Sequence, residues 1–250
     1  RASGAKFRIG YRNYRFPHFY THTYAAAAAF WGREKTHSAE QQVALLGLAG
    51  IPVKTCPKSK LPVDVGASAR VDERLRSVFT GPRIPGFALI HPSAADDTKI
   101  WAAAGFAATI DHLLSKGIPS VLVSTEAEIR LISEIESACG RQLPSLSDLS
   151  LPEVVALASK ASLFVGNDSG IAHISAAVNV PTVVIFGSSN ITHWSPWTDA
   201  PHRVVFNRFD CQPCPGHHCR VFDEPKCILS VEPEQVIGAV NALIMKRGSP

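Results

Sequence analysis

Residues 163–197 read LFVGNDSGIAHISAAVNVPTVVIFGSSNITHWSPW, and the fold of the 250-residue chain turns on them. Leu163-Phe164-Val165 is a short apolar run suited to a buried strand, and the turn Gly166-Asn167-Asp168-Ser169-Gly170 breaks it. A helical pattern follows, with Ile171, Ile174 and Val178 on one face and Ala172, Ala176 and Ala177 permitting close approach. Asn179 and Pro181 end that helix, and Thr182–Phe186 is a β-branched strand closed by Gly187. The stretch is a strand–turn–helix–strand unit with its chemistry in the turn. Ser169 and Gly170 stand where a helix leaves its first N–H groups unpaired and its dipole positive, a place suited to the diphosphate of a nucleotide. His173, about one turn on, adds a donor. Asp168 beside such an anion makes sense if it caps the helix or accepts from a sugar hydroxyl. The plainer reading is that Asp168 and Ser169 only cap and His173 only packs.

The same alternation extends upstream. Phe87–His91 reads as a strand, His91-Pro92-Ser93 as a turn, and Trp101–Ser115 as a helix with Lys99 just before it. Ser120–Ser124 is a strand, and Glu126–Cys139 and Leu151–Lys160 are helices. This βαβ series predicts a parallel sheet, whose ligands sit beyond the carboxyl ends of the strands. His202–Asn207 reads as a further strand and Glu232–Lys246 as an amphipathic helix with Val236, Ile237, Val240, Leu243 and Ile244 inward. Nearer the start, Lys6–Tyr11 is a short strand and Arg12–Phe30 an irregular loop. A helix from Thr36 turns Val43, Leu45, Leu46 and Leu48 inward and Glu40 and Gln41 to water. Lys54–Pro85, broken by prolines and scattered charges, suits a passage between domains.

Hydrophobic content of 46% and charged content of 18% describe an ordinary globular chain with an ample core. No apolar run has the length of a membrane span, and no secretory signal is seen. The chain begins at Arg1 and its single methionine is Met245, which suggests either upstream processing or a part of a longer protein. The net charge is only +4, yet residues 1–35 carry Arg8, Arg12, Arg15 and other cations against a single acid, Glu34. A basic start meets nucleic acid, anionic lipid or a phosphorylated substrate, unless it is simply a solvated face. No nucleic-acid motif accompanies it. No G-x-G-x-x-G or P-loop element supports a dehydrogenase or a P-loop nucleotidase.

Cys211, Cys214, Cys219 and Cys227 are spaced C-x2-C-x4-C-x7-C, with His217 and His218 among them. Four thiols this close suit a structural metal, zinc first, with disulfides or free thiols as alternatives. A redox dithiol at Cys211-Gln-Pro-Cys214 would need a helix directly after it, and Pro215-Gly216 argues against one. Cys56 and Cys139 are isolated.

D-S-G-x-x-H-x-x-A-A (168–177), P-T-V-V-x-F-G-S-S (181–189) and W-x-P-W (194–197), in that order, resemble the donor-site signature of glycosyltransferase family 9, the lipopolysaccharide heptosyltransferases. GAKFRIGY (4–11) and H-x-x-x-Q-Q-x-x-L-L-x-x-x-G-I-P (37–52) resemble the end of that family's acceptor-binding domain. The resemblance implies an α/β fold of GT-B type, with a Rossmann-like parallel-sheet donor domain plus the tail end of an N-terminal acceptor domain. Residues 1–85 would be the remainder of the acceptor domain and linker, 86–231 the donor domain, and 232–250 a C-terminal helix that crosses back to the first domain.

By the same resemblance Lys99, Asp168, Ser169, Gly170 and His173 bind the donor, and Trp101 packs beneath the loop. Ser93 belongs to the phosphate turn, where it replaces the usual glycine of H-P-G-A. Glu128, with Glu126 as the alternative, would hold the ribose. Arg8, Arg12 and Arg15 are candidates for phosphates or acidic sugars of the acceptor. The implied reaction is inverting, metal-independent transfer of heptose or a related sugar from an ADP-sugar to the lipopolysaccharide core. No D-x-D pair is present, and no cofactor is required. The implied setting is cytoplasmic, with peripheral contact at the inner membrane surface and no nucleic acid. The family's proposed general base, an aspartate in an N-terminal loop, has no counterpart in this sequence. The alternative is therefore a catalytically incomplete nucleotide-sugar-binding module. Similar cysteine clusters recur at this position in the family, which implies a structural role for them.

Overall fold

A computed structural model describes residues 4–79, 81, 83–214 and 217–245. The chain forms two compact units, the first comprising residues up to Pro57 together with Ile191–Ser195, the second the remainder. In the first unit, β1 (Ile9–Tyr11) pairs in parallel with β2 (His22–Tyr24), and helices α1 (Ala27–Trp31) and α2 (Ser38–Leu48) follow. The stretch 12–30, expected to be irregular, thus contributes both a strand and a helix. Its small core joins Tyr11, Ala27 and Ala44, with Phe30 and Trp31 against them. Glu40 was expected to face water and is instead buried. It caps α2 by accepting from the His37 N–H at 2.8 Å and pairs with Arg33, so its charge is satisfied inside. Leu46, expected inside, is exposed.

The second unit opens with α3 (Val65–Val78), capped by Asp64, whose carboxylate accepts from the Ala67 N–H at 2.7 Å. The expected inter-domain passage therefore contains a 14-residue helix. Next come β3 (Ala88–His91), α4 (Ala103–Ser115), β4 (Ser120–Val123), α5 (Ile129–Cys139), β5 (Ser145–Leu146), α6 (Leu151–Lys160), β6 (Leu163–Asn167), α7 (Gly170–Ala177) and β7 (Thr182–Ile185). The short α8 (Ile191–Trp194) falls in the first unit, and β8 (His202–Val205), α9 (Lys226–Leu229) and α10 (Pro233–Ile244) complete the second. The six strands are ordered β5-β4-β3-β6-β7-β8, all parallel.

Because successive strand residues point to opposite faces, Ala88, Ile90, Leu122, Leu163, Val165, Val183 and Ile185 share one side of the sheet. There they meet Phe106, Ile110 and Leu113 of α4, Ile132 and Ile135 of α5, and Val236, Val240 and Leu243 of α10. Helix α10 packs on α4, β7 and β8. On the other layer α6 packs between α3 and α7, with Lys160 and Asp72 paired at 2.9 Å and Arg70 and Glu153 at 2.7 Å. Helix α7 buries Ala172, Ser175, Ala176 and Ala177, while Ile171, Ile174 and Val178 are only half-buried. The small side chains form the inward face. Asn179 then turns the chain at φ 62°, the left-handed region that asparagine tolerates.

Candidate functional site

From β3 the chain runs outward through β4 to β5, then returns to place β6 on the other side of β3 and continues to β7 and β8. The β3/β6 boundary is thus the point where the strand order reverses, the place beyond the carboxyl ends where ligands of such sheets bind. His91 and Gly166 are paired in register at that boundary. A side chain at Gly166 would bring its Cβ to 2.6 Å from the His91 carbonyl, so the strands close up only around glycine. Asn167 ends β6 fully buried. Its amide donates to the Pro92 carbonyl at 2.5 Å and accepts from the Trp101 N–H at 3.3 Å, joining the turn after β3 to the turn before α4.

Across the boundary, His91 Nδ1 lies 3.0 Å from Ser169 Oγ. Ser169 occupies the N-cap of α7 but makes no side-chain capping bond. The first N–H groups of α7 therefore receive nothing from it, which sets aside the reading that Ser169 only caps. A Cβ built on Gly170 meets nothing within 4 Å, so the helix start faces open space. Burial drives the His91 imidazole down to about 4 against the opposing pull of Glu128, so it is neutral near pH 7. Glu128 sits in a 3-10 turn after β4 and accepts from the Thr125 N–H at 2.6 Å and from the Ser93 hydroxyl. Burial opposes its ionisation, yet these bonds and the His91 ring hold its carboxyl below the usual range. Ser93, the departure from the family's glycine, is what reaches Glu128. Glu126 is exposed.

Lys99 ends a second 3-10 turn, Asp97–Lys99. Its Nζ lies 3.2 Å from Asp96 and 3.7 Å from Asp168, and the other oxygen of Asp168 is 4.0 Å from His173 Nε2. Asp168 is buried, and these are the groups its oxygens face. Burial also lowers the His173 pKa, the nearby Asp168 opposing and Lys99 reinforcing, so its imidazole is neutral near pH 7. The Lys99 turn is fixed from below. Thr98 and Ser188 hydroxyls meet at 2.8 Å, the Ser188 N–H reaches the Thr98 carbonyl at 3.3 Å, and Trp101 Nε1 donates to the Val231 carbonyl at 2.8 Å. Trp101 is buried beneath the loop as expected, against Gly105, where an added Cβ would stand 2.3 Å from the indole.

Ser93, Lys99, Glu128, Asp168 and Ser169 thus lie on turns, and Gly170 and His173 in the first turn of α7, at the carboxyl edge of the six-stranded sheet. His91, Asn167, Thr98 and Ser188 belong with them and were missed as site residues. An asparagine closing a wholly apolar strand was the available signal for Asn167, because strands disfavour it without a specific partner. The arginines are in the first unit. Arg12 and Arg15 are exposed, whereas Arg8 is committed to its own neighbourhood, its Nε donating to the Phe19 carbonyl at 2.7 Å. Cys211, Cys214, Cys219 and Cys227 form no disulfides, and among the described residues no three His, Cys, Asp or Glu side chains gather around a common point. Cys227 is buried at the start of α9, while the Cys214 N–H is tied to the Ser188 carbonyl at 2.9 Å.

Backbone donors, a cation and neutral imidazoles thus gather at the switch point of a parallel α/β sheet of the GT-B kind. Residues 1–223 match the family model for glycosyltransferase family 9 (heptosyltransferase), and the chain belongs to that family. It is 35% identical over 165 residues to lipopolysaccharide heptosyltransferase 3 of Escherichia coli, covering 63% of this chain and 47% of that protein. The chain spans about half the length of the curated relatives it matches. Among solved structures, the family 9 glycosyl transferase from Veillonella parvula superposes with a TM-score of 0.76 at 18% identity, over 97% of this chain and 68% of that one. E. coli heptosyltransferase WaaC with ADP gives 0.56 at 15% identity, over 93% and 61%. These likenesses carry the GT-B fold. Among the described residues no helix is long and apolar enough to cross a membrane.

Proposed function

We propose that the sheet unit binds an ADP-sugar and that the protein transfers heptose, or a related sugar, from it to the lipopolysaccharide core. The observation that carries this reading is the convergence of Lys99, Asp168, the open N-terminus of α7 and His173 at one edge of the sheet. Support comes from the heptosyltransferase named among its relatives and from the similarly folded structure solved with ADP. In an inverting transfer an acceptor hydroxyl attacks the anomeric carbon while the diphosphate departs with growing negative charge. The α7 N–H groups, Lys99 and His173 are donors placed where that charge develops, and Asp168 holds sugar hydroxyls and orients the carbon. Glu128 takes the ribose, and Arg12 and Arg15 meet phosphates or acidic sugars of the acceptor. No step of this scheme needs a metal. The reaction belongs on the cytoplasmic side of the inner membrane, with peripheral contact to its surface.

Titration calorimetry with ADP-, UDP- and GDP-linked sugars tests the reading. Selective ADP-sugar binding, weakened about tenfold or more by Lys99→Ala and by Asp168→Ala, is expected. A folded protein that binds none of them would overturn the donor site. The half-length span of the relatives favours a second reading, a nucleotide-sugar-binding part whose transfer activity needs further sequence. Donor binding without turnover on lipopolysaccharide core acceptors would support it. A structural zinc on the cysteines rests on their spacing alone, and metal analysis of the purified protein decides it.

A further inference from the structure

The cysteine-bearing segment after β8 has no part in the scheme above, yet it is built against the Lys99 turn. The Gln212 amide donates to the Gly187 carbonyl at 2.7 Å, and the Cys214 N–H to the Ser188 carbonyl. Gly187 is itself wedged between that turn and α9, since an added Cβ would stand 2.2 Å from the Thr98 carbonyl and 2.9 Å from Ile228. Three stretches of chain therefore interlock around one glycine. From this anchored segment the His217 ring reaches Asp96, whose other oxygen holds Lys99. The result is an alternating row, His217–Asp96–Lys99–Asp168–His173, along the carboxyl edge of the sheet.

This row poses an electrostatic problem. Two carboxylates against one lysine leave no surplus positive charge, and a diphosphate would be repelled while both remain on Lys99. Asp168 is buried and fixed by its position at the end of β6, whereas Asp96 lies on an irregular turn and His217 is 79% exposed. Asp96 is the member that can yield. Resting on the donor-site reading above, we propose that Asp96 is an internal stand-in for the diphosphate, and that His217 is a donor-site residue. Without nucleotide, the carboxylate holds Lys99 and the His217 N–H together; with nucleotide, a phosphate takes its place between them. The cysteine-bearing segment is then a third wall of the site, contributed by a stretch far along the sequence from the D-S-G turn. His218 pairs with Asp97 at 3.2 Å outside the row, both largely exposed, and serves as the internal control.

Calorimetry with ADP and with adenosine on the full chain tests this. His217→Ala should weaken ADP about tenfold, the scale of one charge-assisted hydrogen bond, and leave adenosine unchanged. Asp96→Asn should tighten ADP severalfold, and His218→Ala should behave as wild type. Equal ADP affinity in His217→Ala and wild type, while Lys99→Ala loses it, would overturn the role of His217 and leave the donor site standing. Weaker ADP binding in Asp96→Asn would overturn the stand-in. A wild-type chain that binds no ADP would sink both readings together. Because His217 is exposed, its replacement is not expected to impair folding, and a thermal melt verifies this.

Discussion

His91 Nδ1 and Ser169 Oγ meet at 3.0 Å across the line where the sheet reverses its strand order. One consequence is that the serine at the head of α7 is turned toward a buried imidazole and away from its own helix. His91→Ala should release that hydroxyl to cap α7, competing with an incoming phosphate, and should weaken ADP binding about fivefold. His91→Asn, whose amide reaches the Nδ1 position, should restore most of the affinity. Equal affinity in both variants and wild type would remove His91 from the site.

Acid stability carries a second signature of the same residue. Buried His91 protonates only near pH 4, against 6.5 for the accessible imidazole of the unfolded chain. Between those values the unfolded state binds more protons, so stability is complete above about pH 6.5 and falls as the pH is lowered toward 4. The span corresponds to about 3 kcal/mol. Glu128, with its carboxyl held low, loses stability in the same direction at the acid end. Urea midpoints of His91→Asn should therefore change less between pH 7 and pH 4.5 than those of wild type.

Two glycines separate folding from binding. Alanine at Gly187 would drive its Cβ into the Thr98 carbonyl, a backbone atom that cannot swing aside, and should cost about 2 kcal/mol while disturbing the Lys99 turn. Alanine at Gly170 meets nothing and suits a helix start, so its melt should match wild type. If a phosphate rests on the α7 N-terminus, Gly170→Ala should nevertheless lose most ADP affinity. Unimpaired binding by Gly170→Ala would place the anion elsewhere.

The thiols should differ in reactivity. Burial pushes the Cys227 thiol above its ordinary pKa, reinforced by Cys211 and Cys219 nearby. Alkylation at pH 8 in the native state should label Cys227 last among the four clustered cysteines, and unfolding should abolish the difference.

Much of the sheet was legible because its elements obey one local rule each. Leu151–Lys160 matched to the residue, since Ser150 and Glu153 form a capping box ahead of an apolar stripe. Strands β3, β4, β6 and β7 were visible as wholly buried apolar runs bounded by turns. Where the sequence misled, a non-local partner decided. Glu40 reads as a surface residue until Arg33 and the His37 N–H are beside it. Val65–Val78 is low in apolar content and lies among prolines, and it reads as a helix only once α6 supplies Glu153 and Lys160. In the candidate site, the D-S-G turn was legible as the start of a helix from its own residues. The joining of His91 to Ser169 and of Asp96 to His217 spans 78 and 121 positions, beyond the reach of any local pattern.

Asn167 fastens two loops with a single buried amide, and this bears on how the site proposed above would meet a nucleotide. The turns that carry Ser93, Lys99 and Asp168 need not be gathered by the nucleotide, because the entropy of ordering them is already lost when the domain folds. Recognition by the proposed site should accordingly need no gathering of these turns, only the exchange of the Asp96 carboxylate for a phosphate. Even a small anion such as pyrophosphate, which lacks the base and the ribose, should be able to make that exchange.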